Sequence, residues 1–474
     1  MDINEVEQNS MEKAFEEVLS ALETSQTGKI DYDILSNEDL DPEEHWPRYF
    51  KQNQQNSDTL ILKPRDSEDV SVILKLANQL KVQVSILGGH SNVVGSFEGG
   101  PKVYISMENF NAIQPIERLT NQITIGAGVY GGDLLKTMEQ WGFELGQYPQ
   151  SLFISTVGGW INTRATGSSS TYYGGIEHAV IGLEAVLASG EVVTATPSAR
   201  TPGGLDLIKL LIGSEGSLAV ITSVTLEVHR KLPTSFTSVA FDEYEQAIEA
   251  QRQLVQGGFP IGLLRAYNIA ETSHIAESIS KGVPKEDFAL LTFSVIAPEE
   301  SLSALTIEAR KKVKNIKGTI LSDDVSDGWF INRYQCETMM RDRNVLNGKM
   351  FDTVEVTLPW NHAADCALAL EEAFNNKVEK FYTHFSHAYQ TGACMYALFF
   401  IEENDDSKAM NTWRFCQDKM ANIVQSFNGT LAHHHGVGSE RSAHYMKTDV
   451  GLIHKKIKEK LDPNNVLFCR MLLG

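Results

Sequence analysis

The sequence predicts an α+β chain built from two unlike sheet-bearing units, and three observations carry that prediction. Between about Asn56 and Leu232, short apolar strand candidates are separated by glycine-rich turns and few helices. From Leu232 onward, strand candidates alternate with long amphipathic stretches, the pattern of a sheet covered by helices. The 474 residues, 42% of them hydrophobic, suffice for more than one buried core.

Taken in order, Met11 to Leu22 reads as a helix with Phe15, Val18, Leu19 and Leu22 on one face. The acidic run SNEDLDPEEHWP, Ser36 to Pro47, reads as a loop, so residues 1–55 form a helical lead-in. The first unit, residues 56–232, opens on the strand TLILKP. PRDSEDVSVILKLANQL combines a helix start with apolar residues at helical spacing. VQVSILGG is a strand ending in glycines, and KVYISM, QITIGAG, AVIGLEAVLAS, EVVTAT and LAVITSVTLEV are further strands. Gly131 to Trp141 is a short helix among them.

The second unit, residues 233–425, begins with LPTSFTSVAF, followed by the helix FDEYEQAIEAQRQLVQ. ALLTFSVIAP, TVEVTLPW and ACMYALFFI are strands. SLSALTIEARKKVKNI, HAADCALALEEAFNN and AMNTWRFCQDKMANIVQSF are the helices that follow them. The tail, residues 426–474, runs through GTLAHHHGVGSERSAHYM into a helix stopped at Asp462-Pro463.

A formal net charge of −20 argues against nucleic acid or an anionic membrane as main partner, since both need a basic face. Five scattered cysteines, Cys336, Cys366, Cys394, Cys416 and Cys469, form no CxxC pair and suggest a reducing compartment. The N-terminus lacks the basic start and apolar run of a signal peptide, and CRMLLG matches no SKL-type address. No apolar stretch approaches the roughly 20 residues of a membrane span. A cytoplasmic protein acting on a small polar or anionic molecule is the expectation, with a homodimer as the candidate assembly.

Pro149 to Glu177, PQSLFISTVGGWINTRATGSSSTYYGGIE, is the most informative stretch. Gly158, Gly159, Ala165, Gly167, Gly174 and Gly175 bury little, and Ser155, Thr156, Thr163, Arg164 and Thr166 stand among them. Glycine lets backbone approach a ligand closely, and exposed N–H groups and hydroxyls then serve an anion. LGGHSNVVG, Leu87 to Gly95, ends a strand on consecutive glycines; it is either a pyrophosphate nest or a plain turn. GSEGSLAVIT, Gly213 to Thr222, is a third glycine loop with the same two readings. GAGVYG, Gly126 to Gly131, fits G-x-G-x-x-G literally. No acidic residue follows where a ribose would sit, so a strand-to-helix turn is the better reading.

In their order along the chain, PRDSEDV, LGGHSNVVG, PQSLFISTVGGWINTRATG, YYGGIEHAVIGLEAVLASGEVV and GSEGSLAVITSVTLEV resemble one family. It is the FAD-binding domain of the vanillyl-alcohol oxidase and p-cresol methylhydroxylase (PCMH) superfamily. The resemblance spans about Leu60 to Val228 and continues to the C-terminus. Within the superfamily the chain is most similar to alkyldihydroxyacetonephosphate synthases, through the STVGGW–TRA–G run, the YG–IE element, the GAC–Y strand, the HHHGVG loop and the DPNN helix end.

The resemblance implies a two-subdomain PCMH-type FAD-binding domain and an α/β cap with an antiparallel sheet covered by helices. It assigns FAD contacts to Ser85, Ile86, Leu87, Gly88, Gly89, His90 and Ser91 in the first loop. The second cradle falls on Pro149, Gln150, Ser151, Leu152, Ser155, Thr156, Gly158 and Gly159, and on Asn162, Thr163, Arg164 and Ala165. The third falls on Gly213, Ser214, Glu215 and Gly216, with Ile221 on the strand beyond. Tyr396 in TGACMYALFF matches the family's acid/base tyrosine. Arg341 in MMRDRNVL and Arg265 in GLLRAYN match arginines near its substrate, and guanidinium grips carboxylate or phosphate bidentately.

A phenol titrates near 10 and needs positive charge or donors beside it to act near neutrality. His433, His434 and His435 could supply them. In an extended segment His433 and His435 would face together, with His434 opposed. A metal site is the weaker reading, because adjacent residues cannot all converge on one ion and no cysteine stands nearby in the sequence. The synthases carry a histidine where this chain has Gln147, and a threonine where it has His90. GGHS resembles the loop of berberine-bridge-type oxidases, whose histidine bonds to the flavin, so His90 is a candidate covalent tether. The expectation is an FAD-dependent oxidoreductase acting on a CH–OH or CH–NH group at flavin N5. Tyr396 would be its base, Arg265 and Arg341 its anchors, and His434 and His435 its tuners. The alternatives are an ether-forming transferase working through a flavin N5 adduct, and a flavin-binding protein without catalysis.

Overall fold

In a computed structural model, residues 59–279, 287–332 and 348–473 are described, with 30–35 and positions 18, 20 and 283. Apart from positions 18 and 20, the helix expected at Met11 to Leu22 lies outside the described residues, as do the loop Ser36 to Pro47, Cys336 and Arg341.

The first sheet joins β1 (Asp31–Leu35), β2 (Thr59–Lys63), β3 (Ser85–Leu87) and β4 (Val103–Ser106) in the order β1-β2-β4-β3. β2 and β3 both run parallel to β4. Parallel neighbours need a crossover, which the helix Ser67–Leu80 supplies between β2 and β3. Asp66 accepts the Asp69 N–H and caps this helix, while Val70, Ile73, Leu74 and Ala77 go into the core. β3 therefore ends at Leu87, and the chain turns out of the sheet through Gly88 and Gly89 at the cavity.

The second sheet joins β5 (Gln122–Gly126), β7 (Val180–Leu187), β8 (Val192–Ala195) and β9 (Ala219–Glu227), antiparallel throughout in the order β5-β9-β7-β8. β6 (Phe143–Glu144) pairs with β10 (His229–Arg230) beside it. GAGVYG is a strand-to-helix turn, leaving β5 and entering the helix Gly131–Trp141.

The third sheet has seven antiparallel strands: β11 (Thr234–Phe241), β12 (Ile261–Tyr267), β13 (Ala289–Ile296), β14 (Thr319–Ile320), β15 (Lys349–Pro359), β16 (Lys380–Ala388) and β17 (Gly392–Glu402). Their order is β14-β11-β13-β12-β16-β17-β15. One face is covered by helices Tyr244–Gln256, Glu299–Lys314, Trp360–Phe374 and Asp406–Ser426 around Phe293, Phe374, Phe385 and Phe399. Side chains alternate along a strand. On β17, Met395, Ala397, Phe399 and Ile401 enter that core, and Tyr396, Leu398 and Phe400 point the other way, into a cavity.

The sequence reading had no strand at β12 or β16. The second of these, KFYTHFSHA, is polar for a strand, yet seven of its nine residues are buried. Its Phe385 packs in the helical core and its Tyr382 and His384 line the cavity. A strand buried on both faces by unlike neighbours shows no clean alternation of polarity. The tail runs back to the first sheet, where Val84 N–H donates to the Val466 carbonyl at 2.8 Å and Phe468 N–H to the Val84 carbonyl at 2.8 Å. Among the described residues, no helix is long and apolar enough to cross a membrane.

Candidate active site

One cavity of about 530 Å³ runs between the glycine loops and the open face of the third sheet. The wall made by the first unit is backbone-rich because glycine loops interlock there. A Cβ on Gly89 would lie 2.1 Å from the Ile154 carbonyl oxygen, and one on Gly88 2.7 Å from Thr156 Oγ1. Only glycine permits that approach. Thr156 caps the helix Val157–Thr163 by accepting the Gly159 N–H. Asn162 donates to the Gly158 carbonyl at 2.9 Å and accepts the Gly216 N–H at 2.9 Å, tying the second loop to the third.

Of the residues expected to hold FAD, Ser85, Ile86, Gly88, Gly89, His90 and Ser91 line this cavity. So do Pro149, Gln150, Ser151, Ser155, Thr156, Gly158 and Gly159, then Asn162, Thr163 and Ala165, and finally Glu215, Gly216 and Ile221. Five do not. Leu87 points from β3 into a small cluster with Ile61 and Tyr104. Leu152 belongs to the main core. Arg164 folds back and donates from Nε to the Ile212 carbonyl at 3.3 Å. Gly213 takes φ +80°, a conformation that favours glycine, and a Cβ there would sit 2.7 Å from that same Nε. Ser214 is buried. Gln147 is also turned away, donating to the Ala165 carbonyl at 2.7 Å. The residues that remain, a polar glycine cradle opening toward an aromatic chamber, fit the pyrophosphate and ring system of FAD.

The opposite wall is built from rungs of the third sheet. Tyr267 of β12 pairs with His384 of β16, His384 with Tyr396 of β17, and Tyr396 with Glu355 of β15. Arg265, Ser386, Cys394 and Thr357 form the next rung. Directly opposed residues share a face. Four chemistry-bearing side chains are thereby aligned across four strands. His387 joins them by a different device. The register shifts between Ser386 and Ala388, and His387 takes φ 48° there. Such a bulge re-aims a side chain beside a site. His387 Nδ1 lies 2.8 Å from Ser170 Oγ.

Tyr396 Oη is 2.8 Å from His434 Nε2, and the Arg265 guanidinium carbon is 5.9 Å from the Tyr396 ring. His384 stacks on Tyr396 at 4.8 Å and shares a buried bond of 2.8 Å with Glu271. The histidines do not alternate as an extended segment would make them. Residues 433–435 bend, and the His433 and His434 rings come within 5.0 Å, His434 and His435 within 4.4 Å. The bend has one cause: the backbone N–H groups of His433, His434 and His435 all donate to Glu355 Oε1, at 3.2, 3.1 and 2.9 Å.

Glu355 is fully buried on β15. Arg441 grips it with Nη2 at 2.8 Å and Nη1 at 3.3 Å, and His435 Nδ1 stands 2.9 Å away, poorly aligned to donate. Burial alone would raise this carboxyl, but Arg441 and then His435 outweigh it and hold it well below the usual range. Burial pushes the His434 and His387 rings well down and His433 to about 4. It pushes the Tyr396 phenol well up, with Cys394 adding to the rise and Arg265 opposing it. His433, His434 and His387 therefore stand neutral, and what His434 brings to the phenol is a hydrogen bond rather than positive charge.

Glu355, His384, His387, Glu271 and Arg441 were absent from the sequence reading. The SHAY and EVTLPW contexts carry no spacing signal: strand register brings Glu355, His384 and His387 to the site, while Glu271 arrives on the helix Ile269–Ile279 and Arg441 just before the helix Ser442–Tyr445. Cys394 was likewise separated from the triplet by chain distance. Its Sγ and one ring nitrogen each of His433 and His434 lie within 4.8 Å of one another.

Residues 59–196 match the FAD binding domain family, and residues 233–469 match the C-terminal domain of FAD linked oxidases. An alkyldihydroxyacetonephosphate synthase of Dictyostelium discoideum is 27% identical over 455 residues, covering 88% of this chain and 74% of its own. The mitochondrial D-lactate dehydrogenase [cytochrome] of Arabidopsis thaliana is 24% identical, covering 89% of this chain and 75% of its own. The crystal structure of p-cresol methylhydroxylase with substrate bound shares the fold at a TM-score of 0.69 and 15% identity, over 86% of this chain and 87% of that one.

Proposed function

The chain belongs to the family of FAD-linked oxidases, with a PCMH-type FAD-binding fold, and from that premise we propose an FAD-dependent oxidoreductase. Its substrate is a small polar or anionic molecule with a CH–OH or CH–NH group. The observation that carries the reading is the Tyr396–His434 bond of 2.8 Å at the cavity wall, with Arg265 beside the same ring.

Bound FAD supplies a two-electron acceptor. Gly88, Gly89, Ser91, Thr156, Asn162 and Gly216 would hold it. Tyr396 takes the proton from the substrate hydroxyl or amine, and Arg265 orients an anionic group on the substrate. The interlocked glycine loops and the tail exclude water from the reacting face. His90 lines the cavity, and burial pushes it to about 4, so it is a neutral nucleophile suited to a covalent tether.

The test is anaerobic mixing of the purified holoprotein with candidate 2-hydroxy acids, polyols and amines. Bleaching of the flavin band by one of them, lost in Tyr396→Phe with FAD retained, is the expected result. A Tyr396→Phe protein that still bleaches removes Tyr396 as base. The second reading, an ether-forming transferase, is favoured by the likeness to the Dictyostelium synthase. Exchange of an acyl chain for a fatty alcohol without bleaching would select it.

A further inference from the structure

We propose that His434, His433 and Tyr389 form a proton relay that carries the proton taken by Tyr396 out of the cavity. The proposal rests on the reading of Tyr396 as base, and it assigns work to two residues, His433 and Tyr389, that touch neither substrate nor cofactor. They act through Tyr396.

The geometry is an unbroken chain of three hydrogen bonds. Tyr396 Oη lies 2.8 Å from His434 Nε2, His434 Nδ1 lies 2.8 Å from His433 Nδ1, and His433 Nε2 lies 2.8 Å from Tyr389 Oη. Each imidazole uses both nitrogens within the chain. A neutral imidazole has one donor and one acceptor, so the chain can be satisfied only if all its bonds point the same way. The far end, Tyr389, is half-buried; its hydroxyl also meets those of Ser170 and Thr166, and Gln390 and Thr391 beside it are exposed.

Burial supplies the reason for such a chain. A phenolate at Tyr396 or an imidazolium at His434 would be a charge in a dry site, and burial disfavours both. A relay parks no charge. The substrate proton binds Tyr396 Oη as the phenol proton moves to His434 Nε2. The His434 Nδ1 proton moves to His433 Nδ1, the His433 Nε2 proton to Tyr389 Oη, and the Tyr389 proton to solvent. One proton enters and one leaves; every O–H or N–H bond broken is matched by one formed. All four side chains are neutral before and after. A proton moving inward along the same bonds restores the first arrangement.

Glu355 holds the relay in shape without joining it, since its Oε1 takes the backbone N–H groups of both histidines. A rival use of the same atoms is a metal held by Cys394, His433 and His434. It excludes the relay, because both nitrogens of each ring belong to the chain and a metal on either one removes a hydrogen bond from it.

Long-range ¹⁵N–¹H spectra of ¹⁵N-histidine-labelled holoprotein at pH 7 decide between them, with Tyr389→Phe and His433→Gln for assignment. The relay requires His433 and His434 to be neutral with opposite tautomers, Nδ1–H on one and a bare Nδ1 on the other. An imidazolium at either position, or two bare Nδ1 atoms that shift on adding Zn(II), overturns it. This arm needs no substrate. With a substrate from the flavin-reduction screen, Tyr389→Phe should slow flavin reduction by about tenfold or more, in line with the usual size of proton-transfer catalysis. A curved wild-type dependence of the rate on D₂O fraction should become linear. An unchanged rate in Tyr389→Phe sinks the relay alone, whereas retained reduction in Tyr396→Phe sinks the base assignment beneath it.

Discussion

Replacing Glu355 by Gln isolates what one buried carboxylate contributes to the catalytic loop. The amide keeps an oxygen that can still accept the three backbone N–H groups, and it keeps the side chain's volume. It loses the charge opposite Arg441, whose guanidinium is itself buried and held at 2.8 Å. Removing one partner of a buried ion pair costs about 3–5 kcal/mol, because the other charge is left unpaired. With a urea slope of about 3 kcal/mol/M, the upper end for small proteins, the midpoint should fall by about 1–1.7 M. Trp360 and Trp413 report on this unit, since they pack beside β15 and β17 and donate to Tyr389 O and Asp352 Oδ2.

The pH dependence has a definite sign. The folded Glu355 carboxyl lies well below its ordinary 4.5. Its contribution is therefore complete above about pH 4.5 and is lost as pH falls through the folded value. Wild type and Glu355→Gln should differ fully at pH 7 and converge in acid below 4.5. A midpoint shift under about 0.3 M at pH 7, or one equal at pH 7 and in strong acid, would refute the reasoning.

Three further outcomes are expected. Denatured wild-type protein should stay yellow and fluoresce in a gel, and His90→Ala should release its flavin; a colourless wild-type band removes the tether. Gly89→Ala forces a Cβ to within 2.1 Å of the Ile154 carbonyl oxygen, so the loops must part. An overpacking cost of about 1–3 kcal/mol should lower FAD affinity roughly tenfold, read as flavin content after gel filtration, and full retention counts against the cradle. Arg265→Met should raise KM for an anionic substrate about tenfold or more while kcat changes less, the mark of a binding contact; a pure kcat loss would place Arg265 on the reacting group instead.

The sequence made the cofactor side of this molecule legible and left the chemical side partly dark, for a physical reason. The glycine loops announce themselves because the constraint is local. Gly89 and Gly216 are glycine whatever else the chain does, since neighbouring backbone or a positive φ leaves no choice. The chemical side is set by strand register, which couples residues far apart in sequence. Tyr396 meets Glu355 and His384, and His384 meets Tyr267, only because β15, β17, β16 and β12 lie side by side. Two of those strands were unread, so His384 and His387 went with them. The histidine triplet was visible as a motif, but its bend was not. Nothing within the triplet itself signals that Glu355 Oε1, 78 to 80 residues away, draws its three consecutive N–H groups to one point.

The same loop shows why His433 and His434 can be neutral and still be ordered. A turn of polar residues at a cavity edge would ordinarily be fixed by charge on its own side chains. Here the anchoring charges belong to carboxylates from both halves of the molecule. Glu355 comes from the third sheet, and Glu215 from the third glycine loop takes the N–H groups of Val437 and Gly438 and the Ser96 hydroxyl. Burial raises the Glu215 carboxyl while those donors lower it. The triplet is thus held through its own backbone by Glu355, and the chain just beyond it by Glu215. That frees the imidazole nitrogens of His433 and His434 for Tyr389, Tyr396 and each other. Any change that separates the two sheets should therefore misplace the histidines before it disturbs the glycine cradle, and activity should fail before flavin is lost.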